Sequence, residues 1–194
     1  MSTTGGAAGG RPFRVLCVCE GNICRSPTAE VLLARALGPG VDVGSAGTRA
    51  VVGAPVAEPM EALLAARGLS SGDFRARQLV PAHVRDADVV LTMTARQRSK
   101  VAALVPAVVR RVFTLRELAR LLDGAGADAL PEAGVGERLE AALPVATARR
   151  AFVRDPRQDD IADPYGRDQQ AYERAFGEVA DAVDRLAAVL VPAR

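Results

Sequence analysis

Val15-Leu16-Cys17-Val18-Cys19-Glu20-Gly21-Asn22-Ile23-Cys24-Arg25-Ser26-Pro27-Thr28-Ala29-Glu30 reads as an apolar strand, a tight loop and the opening of a helix. Five residues separate Cys19 at the loop entrance from Arg25 at its exit. A loop leaving the C-terminal end of a first strand lies where open α/β sheets bind ligands. A helix N-terminus offers an anion unpaired N–H groups and a favourable dipole. The amides from Glu20 to Arg25 can therefore curl around a tetrahedral oxyanion. Gly21 permits a tight path, Asn22 tolerates a left-handed conformation, and Arg25 offers a planar fork to two oxygens. Cys19 falls at the centre of this cradle, where amides, dipole and arginine favour a thiolate. Ser26 can donate to that sulfur, and it also reads as the N-cap before Pro27 in the first turn. The chemistry expected is attack of sulfur on phosphorus, a cysteinyl-phosphate, and its hydrolysis. Arg25 and the amides bear the developing charge, so no metal or cofactor is required.

Working outward, a strand over Phe13 to Val18 leads into a helix reaching about Leu37, with Ala29, Leu32, Leu33 and Ala36 inward. Val41 to Gly44 reads as a short second strand, Pro55 to Arg67 as a helix and Ala87 to Met93 as a doubly buried parallel strand. A helix over Thr94 to Leu104, a strand over Val108 to Phe113 and a helix over Leu115 to Leu122 follow. The last helix spans about Asp168 to Leu190, with Tyr172, Phe176, Val179, Val183, Leu186 and Leu190 at helical spacing. This alternation predicts an α/β three-layer sandwich around a four-stranded, mostly parallel sheet, with the phosphate-binding loop after the first strand. Residues 124–160 break the pattern and read as an irregular insertion or lid, helical near Glu137 to Leu143. The charged run from Ala148 to Asp160 reads as a solvated face.

The 194 residues suit one domain over 11–194 preceded by a disordered glycine-rich tail over 1–10. A net charge of +2 argues against a nucleic-acid partner, and no apolar run is long enough to span a bilayer. Cys17, Cys19 and Cys24 are an odd number crowded into one segment, which fits a reducing cytoplasm and a reactive thiol rather than a secreted disulfide framework. His83 is the only histidine and is remote from them, which argues against a metal site. Cys17 reads as packing on the strand. Cys24 reads either as an inert small residue or as the partner of a reversible disulfide with Cys19.

Cys19-Glu20-Gly21-Asn22-Ile23-Cys24-Arg25-Ser26-Pro27 closely resembles the signature of the low-molecular-weight protein tyrosine phosphatases. The resemblance continues through Ser45-Ala46-Gly47-Thr48, Arg75-Ala76-Arg77-Gln78-Leu79, the Ala87 to Met93 strand and Asp163-Pro164-Tyr165. It implies hydrolysis of phosphotyrosine proteins or other aryl phosphates, with an Asp-Pro aspartate on a late loop protonating the leaving phenolate. Of Asp155-Pro156 and Asp163-Pro164, the second directly precedes the final helix as in the family, so Asp163 is the expected acid. Glu20, Gly21, Asn22, Ile23, Cys24 and Ser26 are expected to surround the phosphate, and by the family likeness Asn22 and Ser45 brace the loop. Tyr165 stands at the cleft wall to stack on a substrate ring.

Three positions depart from the family pattern. Val51 stands where many relatives have an aromatic wall residue and Gly166 where some have a second one, implying a flatter or wider cleft, and Phe74 stands where many have histidine. An arsenate reductase on the same fold is the first alternative. Its thiol-relay form needs further cysteines, and none follows Cys24, which leaves only a form using an external thiol. The second alternative, a non-catalytic module binding a phosphorylated partner, has little use for Cys19, Arg25 and Asp163 together. No feature of the sequence fixes an oligomeric state.

Overall fold

The alternation of side chains along β1 (Phe13–Cys19) divides the interior in two. A computed structural model describes residues 11–150 and 155–192 of the chain; the tail over 1–10 lies outside them. Successive strand side chains point to opposite faces. Phe13, Val15, Cys17 and Cys19 accordingly join one core cluster, while Leu16 and Val18 join the other. The first cluster is closed by α1 (Arg25–Leu37), α2 (Glu58–Ala65), α5 (Leu115–Asp123), α6 (Val135–Arg149) and α7 (Gln169–Leu190). The second lies under α3 (Pro81–Asp86) and α4 (Ala95–Leu104). Between them runs a four-stranded sheet in the order β2-β1-β3-β4, formed with β2 (Val41–Gly47), β3 (Val89–Thr92) and β4 (Val112–Thr114). Every strand pair is parallel, as the three-layer reading expects. The six apolar positions read as inward along α7 are all buried.

Several boundaries differ from expectation for identifiable reasons. β2 does not stop at Gly44, because Ser45, Ala46 and Gly47 keep pairing with Cys17, Val18 and Cys19. The second helix begins at Glu58 rather than Pro55, since the Ala57 amide is drawn to the carbonyl of Ile23 at 2.7 Å. The expected strand over Val108 to Phe113 is mostly a 3₁₀ turn, Pro106–Arg111. Three-residue spacing puts Val105 and Val108 inside and leaves Val109 53% exposed, so the valines there follow a helical rather than an alternating period. Gly38, at φ 75°, ends α1 in a conformation that favours glycine.

The largest correction concerns residues 124–160. They contain the 15-residue α6, whose Leu139, Ala142 and Ala146 are buried in the main core. Gly136 abuts Phe13 and the Gly40 carbonyl at the start of β1, the opposite end from Cys19. No described residue of this segment lines the cleft formed by the phosphate loop. The expected solvated face is also partly structural. Arg150 bonds the Val112 carbonyl and stacks 4.1 Å from the Phe113 ring centroid. Asp159 pairs with Arg120, and Asp160 accepts from the Ala95 amide. The middle of that run, 151–154, lies outside the described residues.

Glu117 gathers this region. Its carboxylate, buried on α5, meets Arg98 at 2.7 Å and Arg150 at 2.9 Å and completes a capping box with Thr114. Burial pushes the carboxyl up, but the hydrogen bonds from Arg150 and Arg98 outweigh it and hold the group below the usual range. A depressed value in the folded state means that the stabilisation is full above the unfolded value, about 4.3, and fades as pH falls through the folded one. Glu117→Gln is expected to cost about 2–3 kcal/mol at neutral pH, since it leaves two guanidinium groups short of their shared anion. The cost should shrink in acid. Chemical denaturation of both proteins across pH 3 to 7 (about that window) checks both statements.

Candidate active site

Cys19 ends β1 with its side chain 2% exposed, and the chain then turns through Glu20 to Cys24 into α1. Asn22 makes the turn possible at φ 56°, a left-handed conformation that asparagine adopts more readily than most residues. Its amide N–H donates to Cys19 Sγ at 3.3 Å. Its side chain is fully used. Nδ2 donates to Ser26 Oγ at 2.9 Å and to Ser45 Oγ at 2.8 Å, while Oδ1 accepts from the Arg77 amide at 2.8 Å. Because Ser26 Oγ accepts from Asn22, its own hydrogen is free for the sulfur, which lies 3.0 Å away. The bracing expected of Asn22 and Ser45 is thus present as geometry, with the Arg77 amide as a third support.

Ser26 is not the N-cap. α1 opens at Arg25 behind Cys24, without a side-chain cap. The first-turn N–H groups therefore have no side-chain acceptor, and the Ser26 hydroxyl instead points sideways into the Asn22 and Cys19 contacts.

Arg25 is 2% exposed. Nη1 donates to the Ile161 carbonyl at 2.9 Å, and Nη2 forms an ion pair with Asp163. Nε is buried without a hydrogen-bond partner among the described residues. An unpaired buried guanidinium donor beside the Cys19 loop is an unmet demand for an acceptor, which an oxyanion would satisfy. Ile161 is held in turn by donating its amide to the Met93 carbonyl at the end of β3. The late loop is thereby tied to the C-terminal edge of the sheet.

A cleft of about 240 Å³ joins these parts. Cys19, Cys24 and Arg25 line it with Asp163, and Ile23, Val51 and Tyr165 supply its apolar walls. Tyr165 is 62% exposed, so it is not packed away, and Val51 is 46% exposed. The Glu20 side chain lies at the mouth of the cleft, where it meets Arg49. Asp155 is remote in role. It is exposed, accepts from the Arg157 amide and caps the 3₁₀ turn Pro156–Asp159. Cys24 is 3% exposed, and burial, then the nearby Cys19, pushes its thiol up to about 12. A larger groove of about 510 Å³ lies behind Ser45, bounded by Glu30, Arg77 and His83, and neither Cys19 nor Asp163 reaches it.

The residues least visible in the sequence act through their backbones. The amides of Thr48, Arg49 and Val51 donate to the carbonyls of Cys19, Glu20 and Gly21. Gly47 permits this approach: a Cβ there would lie 2.6 Å from the Glu20 carbonyl oxygen. Only the glycine in Ser45-Ala46-Gly47-Thr48 hinted at it.

The family model described as low molecular weight phosphotyrosine protein phosphatase matches residues 14–130, a span that includes the loop, Ser45 and Arg77. The chain belongs to that family. It is a cysteine-dependent phosphatase of the low-molecular-weight protein-tyrosine-phosphatase type. Among its relatives, the protein-arginine-phosphatase of Geobacillus stearothermophilus is 30% identical, with 91% of this chain and 95% of the relative covered. The probable low molecular weight protein-tyrosine-phosphatase EpsP of Ralstonia nicotianae is 32% identical over 88% of this chain and 90% of its own. The crystal structure of the Erwinia amylovora tyrosine phosphatase AmsI superposes with a TM-score of 0.68 at 27% identity, covering 96% of this phosphatase and 99% of that chain. Among the described residues no helix of this phosphatase is long and apolar enough to cross a membrane.

Proposed function

We propose that this phosphatase removes phosphate from phosphotyrosine on protein substrates, and from aryl phosphate monoesters generally. Cys19 Sγ attacks phosphorus as the P–O bond to the phenol breaks, and Asp163 gives its proton to the departing oxygen. Water then attacks the cysteinyl-phosphate, passing a proton back to Asp163 and releasing phosphate and the thiolate. Arg25, through Nε and the rest of its fork, carries charge on the equatorial oxygens. Ser26 donates to the sulfur when it leaves. The observation that carries this reading is that Cys19, Arg25 and Asp163 line one cleft whose other walls, Ile23, Val51 and Tyr165, suit an aromatic ring.

Phosphoarginine is the second reading, because one similar protein is named for it. A guanidinium leaving group needs hydrogen-bond acceptors where it is desolvated. Ile23 and Val51 supply none, which favours the aryl ester. The test is kcat/KM for phosphotyrosine against phosphoarginine under one set of conditions. A preference for phosphotyrosine of at least about tenfold is expected, in line with what unpaired polar groups cost in a pocket. A preference for phosphoarginine would exchange the two readings.

The three free thiols suit a reducing compartment such as the cytoplasm. Cys24 would be the second thiol in a regulatory disulfide. Peroxide would take Cys19 to the sulfenic acid, and Cys24 would condense with it, releasing water. The upward shift of Cys24 makes that condensation slow near neutrality.

A further inference from the structure

The cleft mouth holds one cation that the chemistry above does not use. The Arg49 side chain is 77% exposed, and its carboxylate partner Glu20 sits 3.3 Å away, longer than the roughly 2.7–2.9 Å of a tight charge-assisted contact. The Arg49 backbone, by contrast, is fixed, since its amide donates to the Glu20 carbonyl at 2.9 Å with the Thr48 and Val51 amides bonded on either side. A guanidinium with donors to spare is therefore displayed from a segment hydrogen-bonded to the loop that bears Cys19. Side chains mounted on rigid supports read their ligands more faithfully than those on free loops. The exposed pair with Glu20 is worth only about 0.2–1 kcal/mol, so an incoming carboxylate can exchange with it.

We propose that Arg49 determines specificity by selecting phosphotyrosine segments that carry an acidic side chain close to the phosphorylated residue. The inference rests on the phosphotyrosine reading above and adds to it what the enzyme recognises around the tyrosine. With the phosphate seated against Cys19, chain neighbours of the tyrosine come to the mouth. An acidic neighbour there meets the spare donors of Arg49. A lysine meets a like charge, and the Glu20 carboxylate that could pair with it is 43% exposed against 77% for Arg49. The contact is open to solvent, so its contribution is modest and screened by salt.

The test uses two phosphotyrosyl peptides of one length, flanked by glutamates or by lysines, with phenyl phosphate as a reference that has no flanks. They are assayed with the wild type, Arg49→Gln and Arg49→Glu. The wild type should favour the acidic peptide in kcat/KM by on the order of threefold at low salt, and the preference should fade near about 0.5 M salt. Arg49→Gln should lose the preference and Arg49→Glu should invert it. Comparing ratios between peptides keeps the test sound if a variant is slower overall. Equal ratios in all three proteins would overturn the role of Arg49 alone, provided that the wild type hydrolyses phenyl phosphate. Failure of the wild type on phenyl phosphate would overturn this inference together with the aryl-ester reading beneath it.

Discussion

Replacing Cys19 with serine is expected to lower aryl phosphate turnover by on the order of 10⁵-fold, the scale seen when a covalent nucleophile is removed. The substitution exchanges sulfur for oxygen at a side chain that is 2% exposed, at the end of a strand paired on both sides. The fold has little reason to respond. The Asn22 amide and the Ser26 hydroxyl stay in place, and so does Arg25 with its unpartnered Nε. The variant should therefore still bind inorganic phosphate while failing to turn over. Initial rates on phenyl phosphate and calorimetric titration with phosphate separate the two properties. A variant that keeps more than a tenth of the rate would remove Cys19 from the reaction.

Asp163→Ala should slow phenyl phosphate hydrolysis by about 10²–10⁴-fold, the usual worth of a positioned general acid. The loss should be smaller for an ester whose leaving group departs without a proton, such as a nitrophenol. That difference distinguishes lost proton transfer from a collapsed loop, which would penalise both esters alike. Asp155→Ala supplies the contrast. The Asp155 carboxyl is exposed, held below its usual range by the Arg157 amide and engaged in capping a turn. Its loss should leave both rates near wild type, and the opposite ranking of the two variants would transfer the acid role to Asp155.

Much of this site is legible in a sequence because it is local. Cys19 to Pro27 carries its geometry in consecutive residues, and β1 carries its burial in a simple alternation. The long period of α7 is equally plain, since bulky residues mark its inner face. Legibility fails where one local pattern has two meanings. The valines near Val108 allow either a strand or a 3₁₀ turn until Val109 is seen to face solvent. It fails again at α6, where the inner face is built partly from Ala142 and Ala146, too small to stand out, and where Pro144 and two nearby glycines imitate a loop. It fails most fully for backbone donors. The Arg77 amide bonds Asn22 across 55 positions, and nothing in the identity of Arg77 announces it.

The ion pair between Arg25 and Asp163 couples the phosphate loop to the late loop. Part of the guanidinium proposed to receive phosphate is engaged by a carboxylate of its own chain, while Nε has no partner among the described residues. A phosphate that takes the whole guanidinium fork competes with that internal anion. The cost of displacing the resident anion falls on KM rather than on kcat.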